Sequence, residues 1–366
     1  MEKNNAKIWH TNHRRRHPGH SGAYLAVLRL SRRQASWVAR TRLESLRSCR
    51  RYQPDCNTRM PPLKETERPP QLTKANSIRM ELIAPRDDVR SLVTTFFRMR
   101  CDDPVIRDVQ PSSIGIFAVM ARGSGTLQFL DGRAEPSHPL TLITPTSAAA
   151  TFVVNGPWEV FGAMLSPIGW ASLTGLSAAT AANRLHDARD MLPRPLVDAG
   201  EEILSNFRNL TNDQLSETFS DALTASAKPL PAKHVRFIQT LSAWLAQSLS
   251  PHLADLLSRT EYSMRQVQRL TERYFGMTPQ AVARKYRALR AAVLLSRPDA
   301  TADDVMAVQD HFYDQSHMIR EMRLFAGRTP ARIADPDTPY LSSFLSLRDF
   351  QGSTDRMAPI PPDLRA

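Results

Sequence analysis

The feature that most constrains this chain is a short pattern that occurs twice in its last third. Gly276 is followed by Met-Thr-Pro, and Gly327 is followed by Arg-Thr-Pro. Each glycine comes just after an amphipathic stretch, where it can adopt the left-handed backbone that ends a helix. Each Thr-Pro pair can begin the next helix, because a proline in the first helical turn loses no hydrogen bond. The repeat therefore predicts two helical units of the same design.

The first unit combines a short helix, a turn and a longer helix. Apolar residues at Leu253–Leu257 predict the first helix, and the stretch Met264–Phe275 predicts the second. Ser263 precedes the second helix, and serine is a preferred N-cap because its hydroxyl accepts a bond from a free backbone N–H. The residues that the spacing places on the inner face are Val267, Leu270 and Tyr274.

The second unit repeats this arrangement. Its first helix is predicted over Ala302–Val308 and its second over Gln315–Phe325, with Asp314 as the N-cap. A long helix that begins at Pro279 joins the two units. The pattern is that of two helix-turn-helix motifs in succession.

The outer face of each second helix suggests what the units bind. The first turns of a recognition helix meet base edges in the major groove, where Arg can pair with guanine and Gln with adenine. The outward residues in these turns are Arg265, Gln268 and Arg269 in the first unit, and Gln315, Ser316, His317 and Arg320 in the second. The segment Leu253–Arg332 holds 13 basic and 9 acidic side chains, so positive charge lies where the geometry predicts DNA.

Taken together, the motifs resemble the AraC family of bacterial transcription regulators over residues 234–333. They are Ser-x-Arg-Gln-Val-Gln-Arg at 263–269, Phe-Gly-x-Thr-Pro at 275–279, Arg-x-x-Arg-Ala-Ala-x-Leu-Leu at 287–295, Phe-Tyr-Asp-Gln-Ser-His at 312–317 and Phe-Ala-Gly-Arg-Thr-Pro at 325–330. The resemblance implies two DNA-reading subdomains that enter successive major-groove segments of one promoter.

The resemblance also implies roles for individual residues. Base contacts are expected from Arg265, Gln268, Arg269, Gln315, Ser316 and Arg320, and candidate phosphate contacts are Arg273, Lys285, Arg287 and His317. The sequence departs from the family pattern at Thr271, His311, Met318 and Met322. Methionine is a tolerant but flexible filler of cores, so the two methionines predict a looser second unit.

The chain before these units predicts a β-rich domain. Short apolar runs at 114–120, 126–130, 140–144, 151–154 and 160–165 alternate with glycine, proline and asparagine turn signals, a spacing typical of a small sandwich or half-barrel. Helical spacing follows at 196–210 and 213–225, and a Pro-rich linker at 228–232. The predicted class is therefore α+β: a β-rich regulatory domain over 80–230, an all-α DNA-binding domain over 234–333 and a flexible tail over 334–366.

The first 79 residues carry the whole basic excess of the chain, with 18 basic against 5 acidic side chains. They contain few apolar repeats and end in a Pro-rich stretch, so we expect this leader to be mostly disordered. Two interpretations stay open. The leader is either a basic arm that adds non-specific phosphate affinity, or an extension without a role ahead of a true start at Met80.

Several kinds of chemistry lack a motif in this sequence. Cys49, Cys56 and Cys101 do not have the spacing of a zinc site, and His138 is the only histidine among the predicted strands. There is no Gly-rich phosphate loop, no His-Glu-x-x-His and no Gly-x-Ser-x-Gly. An enzyme alternative is a DNA-repair methyltransferase that carries the same helical module, but it needs an activated cysteine and Cys101 stands alone. Another alternative is a ligand- or partner-binding protein whose helical units contact protein.

The sequence thus predicts a non-enzymatic regulator without cofactor or metal. Its expected partners are double-stranded promoter DNA, an unidentified small-molecule effector and, as a candidate, RNA polymerase. Monomer and homodimer both stay open. No apolar stretch near the start reaches the length of about 20 residues that a membrane span needs, and no secretory signal is evident, so the expected location is the cytoplasm.

Overall fold

A computed structural model of the chain describes residues 77–297, 300–333 and 339–345, and the predicted leader up to residue 76 lies outside them. The β-rich domain contains the strands β1 (Ile78–Ile83), β2 (Val93–Cys101), β3 (Val105–Gln110), β4 (Ile116–Gln128), β5 (Ala134–Pro136), β6 (Leu140–Ile143), β7 (Ala150–Leu165) and β8 (Leu185–Asp187). They form one antiparallel sheet in the order β1-β2-β7-β4-β6-β8, with β3 added to β7 and β5 to β4.

Two of these strands are longer than the sequence predicts. The segments 151–154 and 160–165 belong to the single strand β7, which pairs with β3 through Ala150–Asn155 and with β2 through Trp158–Leu165. Likewise 114–120 and 126–130 fall largely within β4, where Gly123 has a φ of +82° beside a shift in register. The turn signals thus mark an irregularity and a change of partner, and not strand ends.

The sheet also begins earlier than predicted. β1 starts at Ile78, so the last two residues of the predicted leader are part of the fold. The sequence pattern did not predict β1, β2 and β3, because Arg, Glu and Asp interrupt their apolar runs. β1 thus crosses the predicted domain boundary at residue 80, and a chain shortened to Met80 would lose part of β1.

Ten α-helices lie within the described ranges. They are α1 (Pro167–Thr174), α2 (Arg194–Asn206), α3 (Asn212–Ser226), α4 (Ala232–Ala246), α5 (Leu253–Ser258), α6 (Met264–Phe275), α7 (Pro279–Ser296), α8 (Ala302–Gln309), α9 (Gln315–Phe325) and α10 (Pro339–Leu345). The bounds of α6 and α9 agree with the sequence prediction. The predicted α+β class, with a β-rich domain ahead of two helix-turn-helix units, is confirmed. None of the described helices is long and apolar enough to span a membrane.

Helix α10 corrects the prediction of a flexible tail. Within 334–366, the segment Pro339–Leu345 is helical, and Tyr340, Leu341 and Phe344 are buried. These side chains pack in a core with strand residues such as Phe152. Local signals for this helix are weak, because it has only seven residues and contains two serines.

Two apolar cores connect the sheet to the helices. In β2, Phe96 stacks on Phe161 of β7 and meets Phe219 of α3 edge-on, and this core continues through α4 to α6. The next residue, Phe97, belongs to a second core that reaches α7, α8, α9 and α10. Neighbouring residues of a strand point to opposite faces, so the sheet contacts the first helical unit through one core and the second unit through the other.

Candidate DNA-binding surface and sheet cavity

The first helix-turn-helix unit consists of α5 and α6. The backbone N–H of Ser263 donates to Gln266 Oε1 at 2.9 Å, which closes the start of α6. Val267, Leu270 and Tyr274 are buried, as the spacing predicts. At the other end Gly276 has a φ of +81° and its N–H donates to Glu272 O, which ends the helix as expected.

The outer face of α6 carries the predicted base contacts. Arg265, Gln268 and Arg269 are all exposed in its first turns. Among the described residues, neither arginine has a hydrogen bond or ion pair. Gln268 Nε2 donates to Glu272 Oε1 at 3.1 Å, so this amide is held along the helix. The geometry leaves both guanidinium groups available to a ligand outside the chain.

The second unit consists of α8 and α9. Asp314 caps α9, since its Oδ1 accepts the backbone N–H of His317 at 2.7 Å. That bond and the nearby imidazole lower the pKa of the Asp314 carboxyl. Ser316 and Arg320 are exposed and Gln315 is half-buried, so all three predicted contacts reach the surface.

Two of the candidate phosphate contacts have other roles. Lys285 is only 2% exposed, and its Nζ donates to Ser113 O at 2.9 Å and to Thr146 O at 3.2 Å in the β-rich domain. Burial lowers the pKa of this lysine to about 7, although the two carbonyls favour the charged ammonium. The prediction that Lys285 meets phosphate is wrong, because the amphipathic pattern of α7 does not reveal that a second domain covers this face.

Arg287 is also taken up inside the protein. Its Nη2 lies 2.7 Å from both carboxylate oxygens of Glu321, and its Nη1 donates to Ser250 Oγ at 3.1 Å. The guanidinium also lies over the ring of Phe312, 4.8 Å from its centroid. With its donors occupied, Arg287 is a structural residue and not a phosphate contact. Arg273 is exposed and His317 is partly so, and for these two the phosphate role stays a prediction.

Two residues of this region were missed by sequence reasoning. Glu321 is 1% exposed and also accepts Nε of Arg284 at 2.8 Å. The available signal was a glutamate at an inward position of α9. Tyr313 is 90% exposed directly before the cap of α9, with its ring 5.7 Å from that of His317. The signal there was a pair of aromatic residues in a short turn, of which Phe312 is buried and Tyr313 is not.

The second unit is joined to the β-rich domain by backbone bonds. Ser112 N–H donates to Phe325 O at 2.9 Å, and Ala149 N–H donates to Leu324 O at 2.8 Å, both at the last turn of α9. The first unit has a corresponding bond from Ala178 N–H to the carbonyl at position 273 in α6. The second helix of each unit is therefore docked through its C-terminal end, and its N-terminal turns face away from these contacts.

A buried ion pair reinforces the docking of the second unit. Arg328, just past the end of α9, pairs with Asp108 of β3. The same carboxylate accepts the backbone N–H of Tyr340 at 2.8 Å. Burial raises the pKa of Asp108 to about 6, while the positive charge of Arg328 and the backbone donors act against this rise.

A cavity of about 80 Å³ lies against the sheet on the side of the second core. Its lining is mainly apolar and includes the aromatic residues Phe152 and Trp158. The polar side chains of the lining are Gln110, Thr126, Ser137 and Thr141, with Tyr340 of α10 at one wall. Small-molecule sites commonly have this composition. Phe117 and Phe161 instead belong to the core between sheet and helices.

Comparison with models of protein families identifies a known type of domain in the helical region. Residues 256–335 match a family model described as a helix-turn-helix domain. This region is thus a helix-turn-helix domain of the AraC type, the kind of domain with which transcription regulators bind DNA. No curated protein matches the chain.

Solved structures also show similarity at low identity. ToxT from Vibrio cholerae is 11% identical over 74% of this chain and 98% of its own, with a TM-score of 0.39. The AraC-like transcriptional activator CuxR is 14% identical over 59% of this chain and 86% of its own, with a TM-score of 0.27. An oxalate decarboxylase from Bacillus subtilis is 13% identical over 41% of this chain and 37% of its own, with a TM-score of 0.17.

Proposed function

We propose that this protein is a sequence-specific transcription regulator that reads promoter DNA with two recognition helices, α6 and α9. The observation that carries the proposal is that Arg265 and Arg269 are exposed on the first turns of α6, a helix whose inner side is buried. Neither side chain has a hydrogen bond or ion pair among the described residues. Arginine in these turns can form a forked pair with guanine in the major groove. Arg320, with Gln315 and Ser316, is the corresponding set on α9.

We further propose that an effector or a partner protein controls DNA binding from the β-rich domain. The sheet cavity supports this role because it is apolar with a few placed polar groups. It also lies in the core that continues into α7 and α9, so its occupant would touch the elements that position the second unit. RNA polymerase is a candidate partner, the chain acts as a monomer or homodimer, and the location is the cytoplasm.

The methyltransferase alternative finds little support at its key residue. Cys101 is buried in β2, and burial raises the pKa of its thiol. Its sulfur lies 3.8 Å from Ser77 Oγ, which is no general base. A reactive cysteine needs a lowered pKa and access to substrate, so the proposed function contains no enzymatic step.

The proposal is tested by selecting duplexes from a random pool with the purified full chain. We expect enrichment of one sequence, and a linear fall of log affinity with log salt concentration as counterions are released. The selected site should span two successive major-groove segments, one for each recognition helix. Removal of residues 1–76 should flatten the salt slope and leave the selected sequence unchanged if the leader is a basic arm.

The same experiment distinguishes the proposed function from the remaining alternative, in which the helical units contact protein and not DNA. If the helical units contact only other proteins, the full chain would enrich no sequence, and the chain without residues 1–76 would show no salt-dependent binding to DNA. Either of those results would remove the proposed function.

A further inference from the structure

Helix α10 places one of the chain's own side chains where a ligand of the sheet cavity would lie. Tyr340 is 5% exposed and forms one wall of the cavity. Its hydrogen-bond partner Gln110 lies 230 residues earlier in the sequence, at the end of β3. Its ring stacks on Trp158 with centroids 5.9 Å apart and an angle of 30°. The same ring meets Phe152 edge-on at 4.9 Å and 87°. Tyr340 is therefore held by contacts of the kind that an aromatic ligand makes.

The phenol group of Tyr340 has one polar partner among the residues that the structure describes. Its hydroxyl donates to Gln110 Oε1 at 2.6 Å. The Gln110 amide nitrogen donates to Pro111 O at 3.3 Å, which keeps the amide oxygen turned towards the tyrosine. Burial raises the pKa of the Tyr340 hydroxyl, so it is a neutral donor at pH 7. The site thus combines a slot for a flat ring with one fixed acceptor.

Helix α10 is also connected to the second helix-turn-helix unit. The backbone N–H groups of Tyr340 and Leu341 donate to Asp108 Oδ2, at 2.8 and 3.4 Å. Arg328, just past α9, pairs with the other oxygen of this carboxylate. When α10 leaves, Asp108 loses the two donors that act on it together with Arg328. Occupation of the slot by Tyr340 and docking of the second unit therefore depend on the same buried carboxylate.

We infer that the sheet cavity is a binding site for a small phenol, that Tyr340 occupies this site in the present structure, and that such a ligand displaces Tyr340 and loosens the second unit from the sheet. This inference rests on the effector control proposed above. A ligand that competes with an internal side chain has its apparent affinity reduced by the fraction of molecules in which the site is open. Weakening the internal competitor must therefore strengthen ligand binding.

The test uses p-cresol, which has the structure of a tyrosine side chain, and the full chain in the absence of DNA. Titration calorimetry should show the weakest binding to the natural chain, tighter binding to Tyr340→Phe, and at least about tenfold tighter binding to Tyr340→Ala. Toluene, which lacks the hydroxyl, should bind Tyr340→Ala more weakly than p-cresol does. Gln110→Leu in that background should remove the difference between the two ligands.

A second measurement follows the connection to the helical units. Hydrogen exchange of the Ser112 and Ala149 amides, which bond to the end of α9, should become faster when p-cresol binds. The Ala178 amide, which bonds to α6 of the first unit, is the internal control and should keep its rate.

Three results would overturn the inference. They are equal p-cresol affinity in the natural chain and Tyr340→Phe, equal binding of toluene and p-cresol, and unchanged exchange at Ser112 and Ala149. Tyr340→Phe keeps the ring contacts, so it decides the question even if Tyr340→Ala does not fold. Because no DNA is present, failure here leaves sequence-specific DNA binding to its own test.

Discussion

Counting back six residues from the glycine that follows α6 gives Leu270, and counting back six from the glycine that follows α9 gives Glu321. Both residues are 1% exposed. Leu270 lies in an apolar core with residues of α5 and α7, whereas Glu321 is paired with Arg284 and Arg287 of α7. The equivalent position of the two units is thus occupied by an apolar side chain in the first unit and by a carboxylate with two ion pairs in the second. The free energy needed to desolvate the charges of a buried ion pair offsets much of their attraction. These ion pairs therefore fix the orientation of α9 on α7 more than they stabilise the fold.

The two units differ in their attachment to the β-rich domain in the same way. The first unit shares an apolar core with the sheet and a backbone bond from Ala178. The second adds the buried pair of Asp108 with Arg328 to its backbone bonds. Polar contacts depend on direction, so small rearrangements affect them more than apolar packing. The second unit is therefore the one whose docking a ligand can change most easily.

Removal of the buried carboxylate of Glu321 should have the largest effect of the changes that distinguish the two units. In Glu321→Leu the residue of the first unit replaces that of the second, and the largely buried Arg287 loses its carboxylate partner. We expect a loss of about 3 kcal/mol in the free energy of unfolding. Urea denaturation followed by circular dichroism would measure it.

The matched control is the double variant Glu321→Leu with Arg287→Met, which removes both charges. It should recover about half of the loss, because the cost comes from an unpaired charge and not from the absent bonds. If the single and double variants were equally unstable, packing at position 321 and not charge would govern the second unit.

Helices α6 and α9 illustrate what the sequence could and could not predict. The bounds of α6 and α9 follow from local signals, namely a cap residue, amphipathic spacing and a closing glycine, and each of these acts within a few residues. The roles of Lys285 and Arg287 could not be predicted, because their partners Ser113, Thr146 and Glu321 are 34 or more residues away. Charge on a helix suggests solvent or phosphate until the covering domain is known.

The strands show the same limit. Alternation and turn signals located most of β4, β6 and β7, but not which segments were continuous, since pairing with β2 and β3 decides that. Helix α10 was missed because its stability comes from contacts with β3 and β7, far away in the chain. The cavity depends on that helix for a wall, so its aromatic lining could be suspected from the sequence but its occupant could not.

A second comparison concerns DNA. Arg269→Ala in the first unit and Arg320→Ala in the second should each cost about 1–3 kcal/mol in binding to the selected site and relax preference at one base pair. The two arginines occupy equivalent positions, seven residues before their glycines. If the units read separate groove segments, the two losses should add within about 0.5 kcal/mol. Competition binding against single-base variants of the site measures both effects.

Arg194→Ala provides the control for these variants. Arg194 is an exposed arginine at the start of α2 in the β-rich domain, where it pairs with Asp198. Its removal should leave the preference for the site unchanged. An Arg320→Ala protein with unaltered base preference would mean that α9 does not read bases, whatever the result for α6.

The last prediction concerns the contact of the first half of α7 with the sheet, which the pH dependence of stability tests. Lys285 has a pKa of about 7 in the folded chain and about 10.5 in the unfolded one, so between these values the unfolded chain binds more protons. Stability must then rise with pH over this range. From pH 7 to pH 9 the rise is about 2 kcal/mol, since each pH unit contributes up to about 1.4 kcal/mol.

Lys285→Met should remove this rise, because methionine fills a similar volume without a titrating group. The measurement is the difference between the natural chain and the variant in the midpoint of urea unfolding at pH 7 and pH 9, so that all other titrating groups cancel. Equal pH dependence in both proteins would show that Ser113 O and Thr146 O keep the ammonium charged despite its burial. In that case the contact between α7 and the sheet would be a charge-assisted bond of constant strength, and the second unit would still differ from the first by the ion pairs of Glu321 and Asp108.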